Sequence, residues 1–127
     1  MNLLSESEFN SITINGVSIE DIKLTNGQPE AIENLFKSSV AYSVKNEPAS
    51  GISYLIGDGL ALYFQDESGN GTFKILSIAT NCTDDIFIIK GVSLSLGSDI
   101  FSLKKALGIR HTTIEGTGFN KIGFTTA

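Results

Sequence analysis

A strong hairpin signal lies in the stretch "GISYLIGDGLALYFQD", residues 51–66. Two runs rich in aliphatic and aromatic side chains, 51–57 and 60–66, flank an Asp-Gly dipeptide, which is a strong signal for a two-residue hairpin turn. The run "VAYSVK" (40–45) precedes this hairpin, and "TFKILSIAT" (72–80) follows it after the glycine-rich turn "ESGNG". The pattern predicts four consecutive strands in an antiparallel meander.

The segment before the meander predicts a short helix that covers one face of the sheet. Pro29 suits a first helical turn, and "EAIENLFKS" (30–38) follows it. Its apolar side chains recur at helical spacing, at Ile32, Leu35 and Phe36. The earlier run "VSIEDIKL" (17–24) follows an Asn-Gly turn and is expected to be extended. We therefore predict the α+β class, with short helices packed on a mostly antiparallel sheet.

One motif occurs twice, as "INGVSI" (14–19) and as "IKGVSL" (89–94). At an offset of 75 residues, four pairs are identical: Ile14/Ile89, Gly16/Gly91, Val17/Val92 and Ser18/Ser93. The second copy leads into "SDIFSLKKALG" (98–108), which predicts a helix with a serine N-cap and a glycine stop. Two strands are expected after it, over 109–115 and 119–126.

The length of 127 residues fits a single domain over 1–127. Within it, the repeated motif is open to two interpretations. The chain is either a degenerate tandem of two strand-helix-strand modules, with half-repeats 10–80 and 85–127, or an independent recurrence of a common pattern.

The charge balance excludes one class of partner and permits another. The chain carries 14 acidic and 9 basic residues, a net charge of −5, whereas a nucleic-acid-binding surface needs clustered Lys and Arg. An acidic surface suits a basic protein partner, although it also serves solubility alone. No run approaches the about 20 apolar residues that span a bilayer, and the N-terminus has no basic segment typical of a signal peptide. We expect a cytoplasmic protein that binds neither nucleic acid nor membrane.

The sequence contains few residues that could form a catalytic or metal-binding site. Cys82 and His111 are the only cysteine and the only histidine, so an intrachain disulfide is excluded and a Cys–His catalytic pair would need both. "DESGNG" (66–71) resembles the start of a calcium loop, but Ser77 stands where the loop needs a glutamate. A polar hairpin turn explains it better, and we expect no cofactor, no metal and no enzymatic activity.

The candidate contacts with a partner are acidic residues at turns and two tyrosines of the meander, because Tyr is enriched at protein interfaces. They are Asp58, Asp66, Glu67, Asp84, Asp85, Tyr54 and Tyr63. Solvated acids at turns and tyrosines packed in the core are the alternative interpretation.

The stretch "IKGVSLSLGSDIFSLKKALG" (89–108) resembles the modules of the beta-lactamase-inhibitor-protein-like fold, in which a helical segment precedes an antiparallel sheet. That resemblance implies binding of a target enzyme through the sheet face and loops. In size and acidity the chain also resembles small bacterial immunity proteins. We therefore expect a non-catalytic binding protein, in particular a cytoplasmic immunity protein that neutralises a cognate bacterial toxin. The alternative is a small-ligand-binding or scaffold module.

Overall fold

The computed structural model describes residues 2–45, 50–57, 59–96 and 122–126. Several predictions fall outside these ranges: the helix over 98–108, the strand over 109–115, and the roles of Asp58 and His111. In chain order the described elements are β1 (Asn2–Leu4), α1 (Glu6–Asn10), β2 (Thr13–Ile14), β3 (Val17–Ser18), α2 (Ile19–Leu24), α3 (Pro29–Phe36), β4 (Val40–Lys45), β5 (Ser50–Ile56), β6 (Leu60–Asp66), β7 (Lys74–Thr80), β8 (Phe87–Ile89), β9 (Val92–Leu94) and β10 (Ile122–Thr126).

The predicted meander is confirmed and forms most of a six-stranded sheet. Its strand order is β1-β10-β7-β6-β5-β4, and every pairing is antiparallel except that of β1 with β10. The second half of the expected strand over 119–126 is present as β10. With three short helices and a second, smaller antiparallel sheet, the predicted α+β class is confirmed.

The residues of the six-stranded sheet alternate between a buried inner face and an outer face. One inner row crosses five strands and comprises Tyr42, Tyr54, Leu62, Ile78 and Phe124, of which the last four are buried. The register shifts once between β6 and β7, because Tyr63 pairs with Ser77 whereas Phe64 pairs with Ile75. The extra residue, Leu76, makes a β-bulge, which locally increases the twist of the sheet.

The first helix begins with a capping box. The Ser5 hydroxyl accepts the backbone N–H of Glu8 at 3.3 Å, and the Glu8 carboxylate accepts the backbone N–H of Ser5 at 3.1 Å. This reciprocal pair satisfies two donors that a helix start otherwise leaves free. It places Phe9 in the core, where its side chain is fully buried.

The expectation of an extended chain over 17–24 is wrong beyond Ser18. The Ser18 hydroxyl accepts the backbone N–H of Asp21 at 3.1 Å and caps α2. Ile19 and Ile22 lie three residues apart on one helical face, and both are buried. The expected helix after Pro29 is confirmed as α3, and its last residue, Phe36, is followed by Lys37 as the C-cap, with a positive φ of 54°.

The repeated motif forms two matching hairpins in a second sheet, with strand order β3-β2-β8-β9. Their turns, Asn15-Gly16 and Lys90-Gly91, have positive φ at both central residues, as a type I′ hairpin requires. Thr13 pairs with Ile88, the residue that the 75-residue offset relates to it, in an antiparallel ladder. The two hairpins are therefore related by a local two-fold axis through that pair. The origin of the two hairpins by duplication stays a prediction.

The two sheets enclose one hydrophobic core. Phe87 of the small sheet meets Phe124 of the large sheet edge to face, with ring centroids 5.2 Å apart. The helices share the layer of the small sheet, since α1, α2 and α3 contact β10, β7 and β4. In the part of the chain that the structure describes, no helix has the length and apolar character needed to cross a membrane.

Candidate protein-binding site

Tyr54, one of the predicted contact residues, belongs to the core. Its side chain is 1% exposed, and its hydroxyl donates a hydrogen bond to the backbone carbonyl of Gly27, in the turn between α2 and α3. Its ring packs edge to face on Phe64 at a centroid distance of 5.7 Å. Burial raises the pKa of Tyr54 above the ordinary value of 10.0, and Tyr42 adds to the shift. A partner at the surface does not reach this side chain.

Asp66 is buried as well, and its carboxylate closes the turn between β6 and β7. It accepts the backbone N–H groups of Gly69 at 2.9 Å, Asn70 at 3.3 Å and Gly71 at 2.7 Å. The stretch that resembles a calcium loop is therefore a hairpin turn held by its own carboxylate, as the sequence favoured. Among the described residues, no group of three His, Cys, Asp or Glu side chains is placed to hold a metal ion.

Asp85 joins the two sheets. Its carboxylate accepts the Asn15 side-chain amide at 2.8 Å and the Thr80 hydroxyl at 2.5 Å, so it connects the β2–β3 turn to the end of β7. Asn15 completes this link, because its side-chain oxygen accepts the backbone N–H of Ile86 at 2.9 Å. Cys82 lies nearby as a half-buried free thiol. Asp85 therefore has a structural role in this connection.

The two remaining acids, Glu67 and Asp84, are exposed but lie at opposite ends of the large sheet. Glu67 follows the end of β6, whereas Asp84 follows the end of β7, which runs antiparallel to β6. A strand of seven residues is about 20 Å long, at about 3.3 Å per residue. The structure thus does not bring these acids into one patch.

The open surface that the structure presents instead is the outer face of the large sheet. The side chains in its two central rows are all uncharged, and most of them are small. One row comprises Ala41, Leu55, Ala61, Ala79 and Gly123, and the other comprises Ser43, Ser53, Tyr63, Ser77 and Thr125. Over β7 and β10 this face is partly or fully buried, whereas over β4, β5 and β6 the residues of these two rows are exposed, apart from Ser53 and Tyr63, which are half-buried. Leu55 is 46% exposed at its centre. Residues 41, 43, 53, 55, 61 and 63 are called the outer patch below.

Tyr63 gives the outer patch its aromatic element. Its ring lies across Gly51 on the neighbouring strand, and a methyl group at Gly51 would lie 2.5 Å from the Tyr63 hydroxyl oxygen. Glycine at this position therefore allows the ring to lie flat on the sheet. Beside it, a shallow depression of about 350 Å³ is lined in part by Ala41, Ser53 and Leu55. Of the predicted contact residues that the structure describes, Tyr63 is the one in this patch.

A second concave surface lies at the edge of the sheet, between α3 and β4. It measures about 710 Å³ and is lined by Gln28, Pro29, Glu30, Ala31, Asn34 and Tyr42. The space between the two layers, by contrast, is filled by side chains that are fully buried, among them Leu62, Phe64 and Ile78. Among the described residues, the space between the layers is therefore a packed core; the small-ligand-binding or scaffold module stays the alternative prediction.

Sequence reasoning missed Leu55, Ala61 and Ser53. The signal was present, because small residues alternate with large apolar ones along β5 and β6. It became readable only with the register, which shows that these small residues align across strands. No protein family, curated protein or solved structure matches this chain, so the resemblance to inhibitor modules rests on sequence pattern alone.

Proposed function

We propose that this chain is a non-catalytic binding protein that docks a protein partner on its outer patch. The observation that carries the proposal is the absence of charged side chains from the two central rows of the outer face, over strands where that face is open. A solvated sheet face ordinarily carries polar and charged side chains. The centres of protein interfaces are instead depleted in charge and enriched in aromatic residues.

The composition of the outer patch lowers the cost of association. Alanine and serine side chains have little rotamer freedom to lose on contact, and uncharged groups cost less free energy to remove from water than charged groups do. Leu55 and Tyr63 supply the larger apolar surfaces that usually carry most of the binding energy. A flat patch with two larger anchors suits another protein surface.

The specific form of the proposal is a cytoplasmic immunity protein that neutralises a cognate bacterial toxin. A basic partner is favoured because the net charge of −5 attracts it over long range. The exposed carboxylates of Glu67 and Asp84, one near each end of the sheet, contribute to this attraction. Charges outside the centre of an interface mainly affect the rate of association and its salt dependence.

The test is capture of partners from a lysate of the source cell with three tagged chains: wild type, Leu55→Asp and Leu24→Asp. Leu24 is 84% exposed on α2, away from the outer patch, so its variant is a matched control for the same chemical change. We expect one protein with the wild type and the control, and its loss with Leu55→Asp. Equal recovery with all three chains would exclude the outer patch.

The immunity form is tested by co-expression. If the captured partner arrests growth when it is produced alone, the wild-type chain should restore growth and Leu55→Asp should not. A partner that is harmless in cells would leave the binding function standing and remove the immunity form. A folded chain that captures no protein but retains a small molecule through purification would favour the alternative, a small-ligand-binding module.

A further inference from the structure

The chain contains three asparagines that are each followed by a glycine, at Asn15-Gly16, Asn26-Gly27 and Asn70-Gly71. Asparagine is one of the chemically labile residues. In this dipeptide the backbone nitrogen of the glycine can attack the side-chain carbonyl carbon of the asparagine, because glycine has no Cβ in the way and has wide backbone freedom. The three dipeptides are alike in sequence, but their hydrogen bonds in the fold differ.

The Asn15 side chain is held at both of its polar atoms. Its nitrogen donates to the Asp85 carboxylate at 2.8 Å, and its oxygen accepts the backbone N–H of Ile86 at 2.9 Å. These partners lie 70 and 71 residues further along the chain. Rotation of the carboxamide toward the Gly16 nitrogen therefore breaks two hydrogen bonds that connect the β2–β3 turn to the segment before β8.

The Asn26 side chain is held in the same way. Its nitrogen donates to the backbone carbonyl of Gly71 at 3.3 Å, and its oxygen accepts the backbone N–H of Phe73 at 2.9 Å. The attacking nitrogen is held as well, since Gly27 is buried and its N–H donates to the Thr25 hydroxyl at 3.3 Å. Reaction at this pair requires the α2–α3 turn to separate from the segment that follows the β6–β7 turn.

The Asn70 side chain is exposed and bound only within its own turn. Its oxygen accepts the backbone N–H of Thr72, two residues away, at 3.0 Å. In the part of the chain that the structure describes, its nitrogen makes no hydrogen bond, and this nitrogen is the atom that deamidation removes. Thus Asn70 lacks the long-range contacts that hold the other two side chains.

The Gly71 nitrogen is also hydrogen-bonded within this turn, because its N–H donates to the Asp66 carboxylate at 2.7 Å. The bonds of both reacting groups therefore join residues no more than five positions apart. Such a turn can open locally without separating a helix or a strand from the core. The carboxylate of Asp66 also lies within reach of the proton that the nitrogen gives up.

We propose that Asn70 deamidates in the folded protein, whereas the hydrogen bonds of Asn15 and Asn26 protect those residues until the chain unfolds. A bond forms between the Gly71 nitrogen and the Asn70 Cγ, the bond from Cγ to the side-chain nitrogen breaks, and ammonia leaves with the proton from Gly71. Water then opens the cyclic imide at either carbonyl carbon, which gives aspartate or isoaspartate. The modification goes beyond the proposed function and does not rest on it.

The protection falls on the residues whose modification would damage the fold. At Asn70 the product adds a carboxylate to an exposed turn. At Asn15 the same reaction would replace the amide that binds Asp85 with a second carboxylate, and two carboxylates in contact repel each other. Asn26 likewise connects parts of the chain that are 45 and 47 residues apart.

The test is peptide mapping by mass spectrometry of the full chain after several weeks at neutral pH, folded in buffer and unfolded in guanidinium chloride. Fragment ions assign the mass change, NH₂ replaced by OH, to one asparagine. In the folded chain Asn70 should deamidate at least about tenfold faster than Asn15 or Asn26, because each of these must first lose two hydrogen bonds. In the unfolded chain the three rates should lie within about threefold of one another.

The cause of the protection is tested with Asp85→Ala, which removes the acceptor of the Asn15 amide. Deamidation at Asn15 should rise at least about threefold. Asn26, whose hydrogen bonds do not involve Asp85, is the control within the same chain and should keep its rate. Asp85→Asn retains an oxygen acceptor and should leave Asn15 protected.

Circular dichroism checks that each variant is folded; if Asp85→Ala is not, the comparison of the folded and unfolded wild type decides alone. A folded wild type in which Asn15 or Asn26 deamidates as fast as Asn70 overturns the proposal. So does one in which Asn70 stays intact while the unfolded chain deamidates, or a folded Asp85→Ala chain in which Asn15 is still protected.

Discussion

The hydroxyl of Tyr54 connects the centre of the large sheet to the turn between α2 and α3. Tyr54→Phe keeps the ring and its contact with Phe64, but leaves the Gly27 carbonyl buried without its donor. We expect the free energy of unfolding to fall by about 1 kcal/mol at neutral pH, measured by denaturant unfolding. Tyr63→Phe is the matched control and should change it by less than about 0.5 kcal/mol, because Tyr63 is only half-buried.

The same residue predicts a pH dependence. Burial raises the pKa of Tyr54 in the folded state above 10.0, so the folded protein holds this proton more tightly than the unfolded chain does. The stabilisation is fully present below pH 10.0 and is lost as the pH rises through the folded-state pKa. The difference in unfolding free energy between the wild type and Tyr54→Phe should therefore shrink as the pH rises from 10.0 through the folded-state pKa. A constant difference over that range would contradict the assignment.

Asp66 and Glu67 are adjacent acids with opposite roles. Asp66→Ala removes the acceptor of three backbone N–H groups, whereas Glu67→Ala removes an exposed side chain. Hydrogen bonds to a charged group contribute about 1.5–3 kcal/mol each, so the first variant should lose at least about 2 kcal/mol of stability and the second less than about 0.5 kcal/mol. Equal effects in denaturant unfolding would contradict the account of this turn.

The sequence predicted the turn after β6, but it did not predict that Asp66 would be buried and hydrogen-bonded while Glu67 is exposed. The sequence shows an aspartate before a glycine-rich turn, but it does not show whether the carboxylate is solvated or accepts hydrogen bonds from the backbone N–H groups of that turn. The carboxylate of Asp66 accepts hydrogen bonds from the backbone N–H groups of Gly69 and Gly71, which both have positive φ and direct these groups toward it. That geometry depends on backbone conformation, which the residue types alone do not specify.

The β2–β3 and β8–β9 hairpins have the same turn geometry, so the same substitution can be compared in both. Gly16 and Gly91 have φ of 82° and 79°, and a methyl group at either would meet no atom within 4 Å. Gly16→Ala and Gly91→Ala should therefore each cost about 1–2 kcal/mol from backbone strain alone. Thermal unfolding should show similar losses for both variants, and a loss at only one would contradict the equivalence of the hairpins.

The helix α2 shows why one element was predicted wrongly. Val17 and Ile19 are spaced as on one face of a strand, whereas Ile19 and Ile22 are spaced as on one face of a helix, and a segment this short does not separate the two patterns. The capping arrangement from Ser18 to Asp21 decides for the helix, together with burial of Ile19 and Ile22. A serine three residues before an acid was readable in the sequence, as it was for Ser5 and Glu8 of α1.

For the whole molecule, the meander was predictable because each strand is bounded by glycine-rich or Asp-Gly turns. The outer patch could not be predicted from the sequence, because it depends on the register between strands that are distant in sequence. The bulge at Leu76 shifts the pairing of β7 by one residue, and β10 joins the sheet from the far end of the chain. Both features decide which side chains align in the outer rows.

The outer patch is the protein-binding surface that we propose for this molecule. Calorimetric titration of the captured partner with wild type, Leu55→Asp and Leu24→Asp measures its contribution to binding. We predict that Leu55→Asp weakens binding about a hundredfold, because a charge is buried at the centre of the interface, and that the Leu24 control binds like the wild type. Equal affinity of the partner for all three chains would show that it does not bind at the outer patch.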